Sequence, residues 1–304
     1  MNEASGTLRS GTVALVGRPN AGKSTLLNRL VAEKVAIVSD KPQTTRHRLV
    51  GILTDPERGQ IVFFDTPGIH RPLHRMNRRM LQAARQTLED CDIVCLIVDA
   101  SVAFGSGDAQ VLDEVARAPG KKIVVLNKVD RVKEKTRLLP LMERYSRGGE
   151  FHELIPLSAL TGEGCERLLE TLWGQLPTGA LRYDPDLFTV HPERFFAAEL
   201  VREQVLERTR DELPFVTAVL LDRWEEEPGL ARIYASILVE RASQKGIVVG
   251  KRGSKIKAIG TASRKAIEEL LGRRVHLDLH VRVEPEWREK ERLLVDLDRD
   301  VYGA

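Results

Sequence analysis

Apolar and polar positions alternate in two different ways along the chain. In the first half, short apolar runs of the kind buried on both faces of a sheet alternate with longer stretches of helical spacing. The apolar runs are Thr12–Val16, Ile61–Phe64, Ile93–Val98, Ile123–Leu126 and Leu154–Leu157. The amphipathic stretches are Lys23–Val31, Met76–Leu88, Asp108–Ala116 and Glu166–Leu172. This order predicts an α/β domain with a mostly parallel sheet, to which His47–Leu53 adds a strand at one edge.

A segment rich in turn-forming residues, 177–186, separates this domain from a second pattern. Beyond it, the order helix, strand, strand, helix–turn–helix, strand is predicted at Arg194–Arg208, Val216–Arg223, Leu230–Val239, Gln244–Leu271 and Val275–Val283. The last strand alternates apolar with polar residues, which predicts one buried and one solvated face. We therefore predict a first domain over 8–176, a linker over 177–186 and a smaller α+β domain over 187–304.

Composition narrows the protein class but identifies no partner. Lys and Arg number 47 against 44 Asp and Glu, a net charge of +3. The three cysteines form no CxxC pair, as is typical of reduced thiols in the cytosol. The amino terminus lacks the apolar core of a signal peptide, and the longest apolar run is too short to cross a bilayer. We expect a cytoplasmic protein, with peripheral contact at the inner membrane left open.

One glycine-rich segment has the pattern of a phosphate-binding loop. The residues from Gly17 to Ser24 fit GxxxxGK[ST] between a predicted strand and a predicted helix. The glycines allow successive backbone N–H groups to face phosphate oxygens at the helix N-terminus. Lys23 would reach the β- and γ-phosphates, and the Ser24 hydroxyl would bind Mg²⁺. The predicted phosphate-binding residues are Gly17, Arg18, Pro19, Asn20, Ala21, Gly22, Lys23, Ser24 and Thr25.

Three further segments follow predicted strands at their carboxyl ends, where open α/β sheets bind ligands. Asp65 would hold the metal through a water, and the Gly68 N–H would approach the γ-phosphate. Asp130 can accept from both guanine N1–H and the N2 amino group, donors that adenine lacks there. Asn127 would tie its loop to the phosphate loop, Lys128 would lie along the base, and the Ala159 N–H would donate to guanine O6. The full set is Asp65, Thr66, Pro67, Gly68, Ile69, Asn127, Lys128, Val129, Asp130, Ser158, Ala159 and Leu160.

These motifs resemble those of a known protein family. The same is true of the segment Gln43-Thr44-Thr45-Arg46-His47 and of the basic loop Gly250–Gly253. The first 175 or so residues resemble a translation-factor-class GTPase domain of the Era/MnmE/Der group. Across its full length the chain resembles the bacterial Era family, in which a P-loop NTPase domain precedes a type II KH domain. The resemblance implies a GTPase that cycles between GTP and GDP with Mg²⁺.

The resemblance also implies a switch. The Gln43–His47 segment corresponds to switch I, in which Thr45, with Thr44 as the next candidate, would complete the Mg²⁺ shell when the γ-phosphate is present. Ile69 occupies the position at which Ras-like enzymes carry a water-orienting Gln, so we expect slow hydrolysis. Asn20 as a ligand of a K⁺ ion is a further hypothesis from the family. The residues expected to support catalysis are Lys23, Thr45, Gly68 and Asn20, with no general base assigned.

The second domain carries a strong concentration of positive charge. Between Lys245 and Val275, nine Lys and Arg face two acids, a local net charge of +7. A GxxG loop lets the backbone approach about four nucleotides while apolar neighbours contact bases. The predicted RNA-binding residues are Ile247, Val248, Gly250, Lys251, Arg252, Gly253, Lys255 and Lys257. Family resemblance narrows the RNA to the 3′ end of 16S rRNA, during assembly of the 30S ribosomal subunit.

Other functions stay open from the sequence alone. The protein could be a GTP-liganded RNA chaperone with negligible turnover, or a membrane-associated regulatory GTPase whose basic face binds anionic lipid. An ATP-dependent P-loop enzyme is disfavoured by the Asn127–Asp130 segment.

Overall fold

The computed structural model describes residues 8–41, 43–69, 72–209 and 213–302. The chain forms two compact units, the first comprising most residues up to Val190 and the second built from His191 onward. Along the described ranges, no helix combines the length and the apolar character needed to span a membrane.

The first unit is a six-stranded sheet with helices, as the hydrophobic pattern predicts. Its strands are β1 Arg9–Gly17, β2 Leu49–Asp55, β3 Gly59–Asp65, β4 Ile93–Asp99, β5 Lys121–Asn127 and β6 Glu153–Pro156. Its helices are α1 Lys23–Val31, α2 Arg75–Asp90, α3 Ser106–Ala116, α4 Leu138–Arg147 and α5 Cys165–Gln175. The prediction missed α4, which contains Pro140 in its first turn, where proline is tolerated because the N–H would have no helical partner.

The strand order is β2-β3-β1-β4-β5-β6, and only the edge strand β2 runs antiparallel to its neighbour. The central strands are buried on both faces, which explains their nearly continuous apolar sequences. The register aligns the carboxyl ends of β1, β3, β4 and β5, with Leu15 opposite Asp65 and Asp99 opposite Asn127. Loops that leave these strands therefore meet at one edge of the sheet.

The segment predicted as a linker folds onto the first unit. Gln60, on β3, is fully buried, and its Oε1 accepts the backbone N–H groups of Arg182 and Tyr183, each at 2.9 Å. Its Nε2 donates to Thr54 Oγ1 at 2.9 Å and to the Tyr183 carbonyl at 3.1 Å. One side chain thus pairs with the backbone of a segment more than a hundred residues away along the chain.

The same segment continues along the otherwise unpaired edge of β2. The Ile52 N–H donates to the Phe188 carbonyl at 2.8 Å, and the Thr189 hydroxyl donates to the Val50 carbonyl at 2.7 Å. Covering an edge strand in this way satisfies backbone groups that would otherwise be open to pairing with another chain. Residues 187–190, which the sequence assigned to the second domain, group with the first unit.

The second unit is a three-stranded sheet packed against helices on one face. Its elements are α6 Glu193–Arg208, α7 Leu213–Val216, β7 Ala218–Glu227, β8 Leu230–Val239, α8 Ala242–Val249, α9 Ser254–Leu271, β9 Arg274–Val283 and α10 Glu291–Tyr302. β8 lies in the centre, antiparallel to β7 and parallel to β9. His276 and His280 are exposed on β9 while Val275 and Val281 join the core, as the alternation predicts.

The carboxyl-terminal helix α10 was not predicted from the sequence. The chain reaches it through Trp287, which is fully buried and donates its Nε1–H to the Val216 carbonyl at 2.8 Å. The indole therefore anchors the end of the domain to α7 with both an apolar and a polar contact.

Replacing Gln60 by Leu should destabilise the first unit by about 2 kcal/mol, because backbone groups of Arg182 and Tyr183 lose their partners. Chemical denaturation, followed by a probe in this unit, measures the change. Gln86→Leu, on an exposed position of α2, is the matched control and should change stability by less than about 0.5 kcal/mol. Equal stabilities of the two variants would show that the Gln60 contacts contribute little.

Candidate nucleotide and RNA sites

The phosphate-binding loop joins β1 to α1, and its end glycines cannot carry a side chain. A Cβ on Gly17 would lie 2.3 Å from the Ile97 carbonyl oxygen. Gly22 has φ +95°, and a Cβ there would lie 2.3 Å from Asn127 Nδ2. The loop is therefore packed against both β4 and the end of β5, and only glycine permits this approach.

Lys23 opens α1 with its side chain buried inside the loop. Its Nζ donates to the Arg18 carbonyl at 3.0 Å and to the Gly17 carbonyl at 3.4 Å. Burial lowers the pKa of the Lys23 ammonium, and the nearby Asp65 carboxylate partly offsets this. The loop carbonyls thus hold the positive charge at the start of the helix.

The three side chains predicted to bind metal lie together. Ser24 Oγ donates to Asp65 Oδ2 at 2.6 Å and lies 2.8 Å from Thr45 Oγ1, which itself donates to Asp65 Oδ2 at 3.2 Å. Burial raises the pKa of the Asp65 carboxyl, although Lys23 and the two hydroxyl groups oppose this rise. The sequence left both Thr45 and Thr44 as candidates for the metal ligand, and the structure places Thr45 in this cluster.

The chemistry of this cluster fits Mg²⁺. All three side chains offer oxygen, the ligand atom that Mg²⁺ prefers. The second carboxylate oxygen, Asp65 Oδ1, is buried with no hydrogen-bond partner in the protein. A buried carboxylate oxygen of this kind calls for a cation or an ordered water. Among the residues that the structure describes, no cluster of three His, Cys, Asp or Glu side chains offers an alternative metal site.

The residues after Asp65 rest on the phosphate-binding loop. The Thr66 hydroxyl donates to the Leu15 carbonyl at 2.9 Å, and Pro67 is buried. A Cβ on Gly68 would lie 2.6 Å from the Pro19 nitrogen, so this glycine allows the two loops to touch. Ile69 is 2% exposed and packs in the core, which leaves its side chain unable to orient a water.

The Asn127 side chain connects three loops. Its Nδ2 donates to the Ala21 carbonyl at 2.8 Å, as predicted for a tie to the phosphate-binding loop. Its Oδ1 accepts from the Lys128 N–H at 2.8 Å and from the Ala159 N–H at 2.9 Å. The Ala159 N–H, expected to donate to guanine O6, is therefore directed to Asn127 here.

Lys128 follows with a left-handed backbone, φ 64°, and its side chain bridges two elements. Its Nζ donates to the Asn20 carbonyl at 2.6 Å and to Asp99 Oδ2 at 2.5 Å. Burial alone would raise the pKa of Asp99, but hydrogen bonds from Lys128 and Ser101 hold it below its ordinary value. Sequence reasoning missed Asp99, although an acid at the carboxyl end of a strand was the same signal that identified Asp65.

The remaining residues predicted to bind the nucleotide differ in how exposed their side chains are. Asp130 is exposed, and its Oδ1 accepts from the buried Ser158 hydroxyl at 2.6 Å, which orients the carboxylate. Val129 instead packs with Val132 and Leu138, so only its backbone belongs to the loop. Thr25 lies half-buried on α1, and Leu160 is exposed.

Arg18 is oriented by an ion pair that the sequence did not reveal. Its Nη1 lies 2.8 Å from Asp108 Oδ2, and the same carboxylate oxygen accepts the Gly105 N–H at 2.9 Å at the start of α3. The phosphate-binding loop is thereby joined to α3 as well as to the loop after β5.

The GxxG segment forms a tight turn between α8 and α9. Gly250 and Gly253 have φ of 73° and 75°, and Arg252 between them has φ 51°. A Cβ on Gly250 would lie 2.7 Å from Lys255 Cβ, so the first glycine is required for the turn. Both glycines therefore have a positive φ, which residues with a side chain rarely adopt.

The side chains predicted to bind RNA are not equally available. Ile247, Lys251, Arg252 and Lys257 are exposed, and Lys255 is half-buried. Val248 is a correction to the predicted set: it is fully buried and packs in the domain core, because it lies on the inner face of α8.

The net positive charge near this loop is smaller than the number of Lys and Arg residues suggests, because two of the arginines are paired with acids. Arg264 pairs with Glu268 at 3.2 Å, and Arg273 pairs with Glu193 and Glu226. Lys251, Arg252, Lys255 and Lys257 make no ion pair with any other described residue. Four unpaired cations therefore lie at or next to the turn, and Lys245, Lys265 and Arg274, which also make no ion pair with a described residue, lie on α8, α9 and β9.

Comparisons with known proteins agree with this two-domain architecture. A family model described as 50S ribosome-binding GTPase matches residues 12–128, and a KH domain model matches residues 212–288. GTPase Era of Geobacter metallireducens is 46% identical over 291 residues, covering 95% of this chain and 97% of the relative. GTPase Era of Crocosphaera subtropica is 45% identical over 290 residues, covering 95% and 91%.

Two solved structures resemble the chain over both domains. One is an Aquifex aeolicus Era variant bound to GDP and AlF4⁻, with a TM-score of 0.92, 36% identity and coverage of 95% of this chain and 99% of that one. The other is Era with MgGDPNP and nucleotides 1506–1542 of 16S ribosomal RNA, with the same TM-score and identity and coverage of 95% and 98%. The chain therefore belongs to the GTPase Era family and is a guanine-nucleotide-binding, GTP-hydrolysing enzyme with a P-loop GTPase domain and a KH domain.

Proposed function

We propose that this GTPase is a nucleotide-controlled switch that binds the 3′ end of 16S rRNA through its KH domain and acts in assembly of the 30S subunit. The observation that carries the proposal is the similarity, over both domains, to an Era structure that contains nucleotides 1506–1542 of that RNA. The exposed, unpaired charges at the GxxG turn support the same role, since they suit a sugar–phosphate chain.

At the phosphate end, we assign positioning and charge stabilisation to Lys23 and to the backbone of the loop that contains it. Ser24, Thr45 and Asp65 would hold Mg²⁺, which when bound neutralises charge on the β- and γ-phosphates. Thr45 belongs to the switch I segment, so its place in the cluster would depend on the γ-phosphate. Loss of that contact after hydrolysis would release the segment.

At the base end, we assign the guanine N1–H and N2 donors to Asp130. The Ser158 hydroxyl supports this role, because it holds one carboxylate oxygen at 2.6 Å and leaves the other available. An adenine base would leave this carboxylate without matching donors, which makes discrimination strong. Lys128, fixed by Asp99 and the Asn20 carbonyl, would cover the base with its aliphatic stem.

Hydrolysis should be slow without an activator. Ile69 is buried where Ras-like enzymes have a water-orienting Gln, and no general base is assigned. A K⁺ ion bound with help from Asn20 would supply positive charge near the transition state. Asn20 is exposed at the rim of the phosphate-binding loop, with a left-handed backbone at φ 63°, which supports this assignment.

The base assignment predicts nucleotide specificity. The wild-type protein with Mg²⁺ should prefer GTP over ATP by roughly 10⁴-fold in affinity. Asp130→Asn should lose most of that preference and gain affinity for xanthosine triphosphate, whose 2-oxo group accepts from an amide. Asp113→Asn, at an exposed position on α3, is the control and should bind GTP like the wild type. Competition binding measures both, and equal affinity of the wild type for GTP and ATP would refute the assignment.

The RNA assignment predicts a selective loss. Lys251→Asp combined with Arg252→Asp should weaken binding of a 16S 3′-end RNA by roughly 10- to 100-fold at moderate salt, since two cations become anions. GTP affinity should not change. Arg137→Asp combined with Arg147→Asp makes the same change in net charge on the exposed surface of the first unit and should preserve most RNA affinity. RNA binding that falls equally in both double variants would indicate a non-specific charge effect.

The cation hypothesis predicts that kcat in K⁺ buffer exceeds kcat in Na⁺ buffer by roughly tenfold or more, because a fixed charge stabilises the transition state. Asn20→Ala should remove this difference while GDP affinity, which reports an intact phosphate-binding loop, is retained. Single-turnover hydrolysis measures the rates. Identical rates in the two salts, or an Asn20→Ala rate that still responds to K⁺, would rule out the hypothesis.

A further inference from the structure

Asn28, on α1, binds the backbone of the loop that follows this helix. Its Nδ2 donates to the Ala36 carbonyl at 2.7 Å. Its Oδ1 accepts the N–H groups of Ala36 at 2.9 Å and of Val35 at 3.0 Å. The side-chain amide thus pairs with both backbone groups of Ala36, as two strand residues pair across a sheet. Asn28 lies outside the residues predicted to bind the nucleotide, so the nucleotide motifs give it no role.

The chain reverses direction just after α1. The helix ends at Val31, and Ala32 has a left-handed backbone with φ 62°. Four residues further on, Ala36 lies beside Asn28, almost one turn before the end of the helix. The side of α1 is therefore the surface on which the following loop is held.

This loop is buried where it meets the helix. Residues 35–37 are all 5% exposed or less. Apolar packing contributes to holding them, but burial also removes their backbone N–H and C=O groups from water, and such groups need partners in the protein. The Val35 N–H has a second acceptor, the Glu33 carbonyl at 3.0 Å. Both backbone groups of Ala36, in contrast, are bonded to Asn28. Ala36 is thus the point of the loop that depends most on this side chain.

The same face of α1 also reaches the other end of the loop. Asn28 lies four residues after Ser24, so the two side chains are neighbours along one face of the helix. Ser24 Oγ lies 2.8 Å from Thr45 Oγ1 at the metal cluster. One rigid helix therefore holds the loop at two points, Ala36 through Asn28 and Thr45 through Ser24. The eight residues 37–44 lie between these points.

We propose that Asn28 is a positioning residue for the switch, which fixes the amino-terminal hinge of switch I at Ala36 in both nucleotide states. This role depends on the proposed switching function, in which Thr45 leaves the metal cluster after hydrolysis. The hinge keeps Thr45 within reach of the cluster when the γ-phosphate returns. The part of the switch that moves begins after Ile37, where burial ends and Val38 is 42% exposed.

Loss of this anchor has two effects of different size. If the hinge opens, the segment that must be ordered to place Thr45 lengthens from residues 37–44 to residues 32–44, and the entropy of closing this longer loop weakens the ordered state about twofold. If the hinge must instead form again without Asn28, the unpaired groups of Ala36 weaken it roughly tenfold. Removal of Asn28 should therefore cost between about twofold and tenfold in the ordered state, and only when the γ-phosphate is present.

The first test compares GDP with GDPNP, a GTP analogue that is not hydrolysed, in the presence of Mg²⁺. Dissociation constants are measured for the wild type, Asn28→Leu, Asn28→Ala and Gln110→Leu. Asn28→Leu keeps a side chain of similar volume but has no hydrogen-bonding group, and Asn28→Ala covers the case in which leucine does not fit. Gln110, exposed on α3, is the control in which an amide is likewise replaced by leucine.

Both Asn28 variants should bind GDP like the wild type, because Lys23 and the phosphate-binding loop are intact. Their affinity for GDPNP should fall by roughly two- to tenfold, since only this nucleotide requires Thr45 at the metal cluster. Gln110→Leu should match the wild type with both nucleotides. A change in the ratio of the two affinities is a result that general loss of folding would not produce.

Hydrogen exchange of backbone amides locates the hinge directly. In the wild type, the amides of residues 35–37 should be protected with either nucleotide, whereas those of residues 43–47 should be protected only with GDPNP. In Asn28→Leu with GDP, residues 35–37 should lose their protection while β1 retains it.

Three results would overturn the role of Asn28. An unchanged ratio of GDPNP to GDP affinity in both variants would show that its contacts do not position the switch. An equal loss of affinity for both nucleotides would indicate general structural support. Rapid exchange at residues 35–37 in the wild type with GDP would place the hinge elsewhere. Failure of the proposed switch itself looks different, because residues 43–47 of the wild type would then exchange alike with GDP and GDPNP.

Discussion

The parallel pairing of β3, β1, β4 and β5 is the constraint from which the nucleotide site follows. Parallel strands in register end at the same edge of the sheet, so the loops that follow them lie next to one another. The polar residues at those ends, which include Asp65, Asp99 and Asn127, would be costly to bury without partners. They find those partners in each other's loops, and these contacts give the site its shape.

Electrostatics then decides what the site can hold. A buried ammonium at Lys23 and a buried carboxylate at Asp65 shift each other's pKa against the effect of burial. The hydroxyl groups of Ser24 and Thr45 satisfy one oxygen of Asp65 and leave the other without a partner in the protein. A cluster of oxygen ligands of this kind suits a divalent cation, and the buried ammonium suits phosphate oxygens.

The KH domain uses a different physical principle. Its basic turn is held by glycines with positive φ, and the charges there lack the acidic partners that neutralise Arg264 and Arg273 nearby. An exposed, uncompensated charge attracts a phosphate backbone without reading its sequence. The first unit is built to discriminate one base, whereas the turn of the second is built to approach a backbone. The segment held by Gln60 joins the two units in sequence and stays attached to the first.

The sequence by itself determined the strands, most helices and the identity of the nucleotide and RNA motifs, because these depend on local periodicity and on short runs of residues. The glycines of the two loops and the acid Asp65 at the end of β3 could also be predicted from local sequence. Only the tertiary structure decided that Thr45 reaches the metal cluster, that Val248 faces the core, and that the predicted linker belongs to the first unit. It also supplied the partners Asp99 and Gln60. Those contacts join residues 29 and 123 positions apart, and pairings at such separations are set by the path of the folded chain rather than by any local pattern.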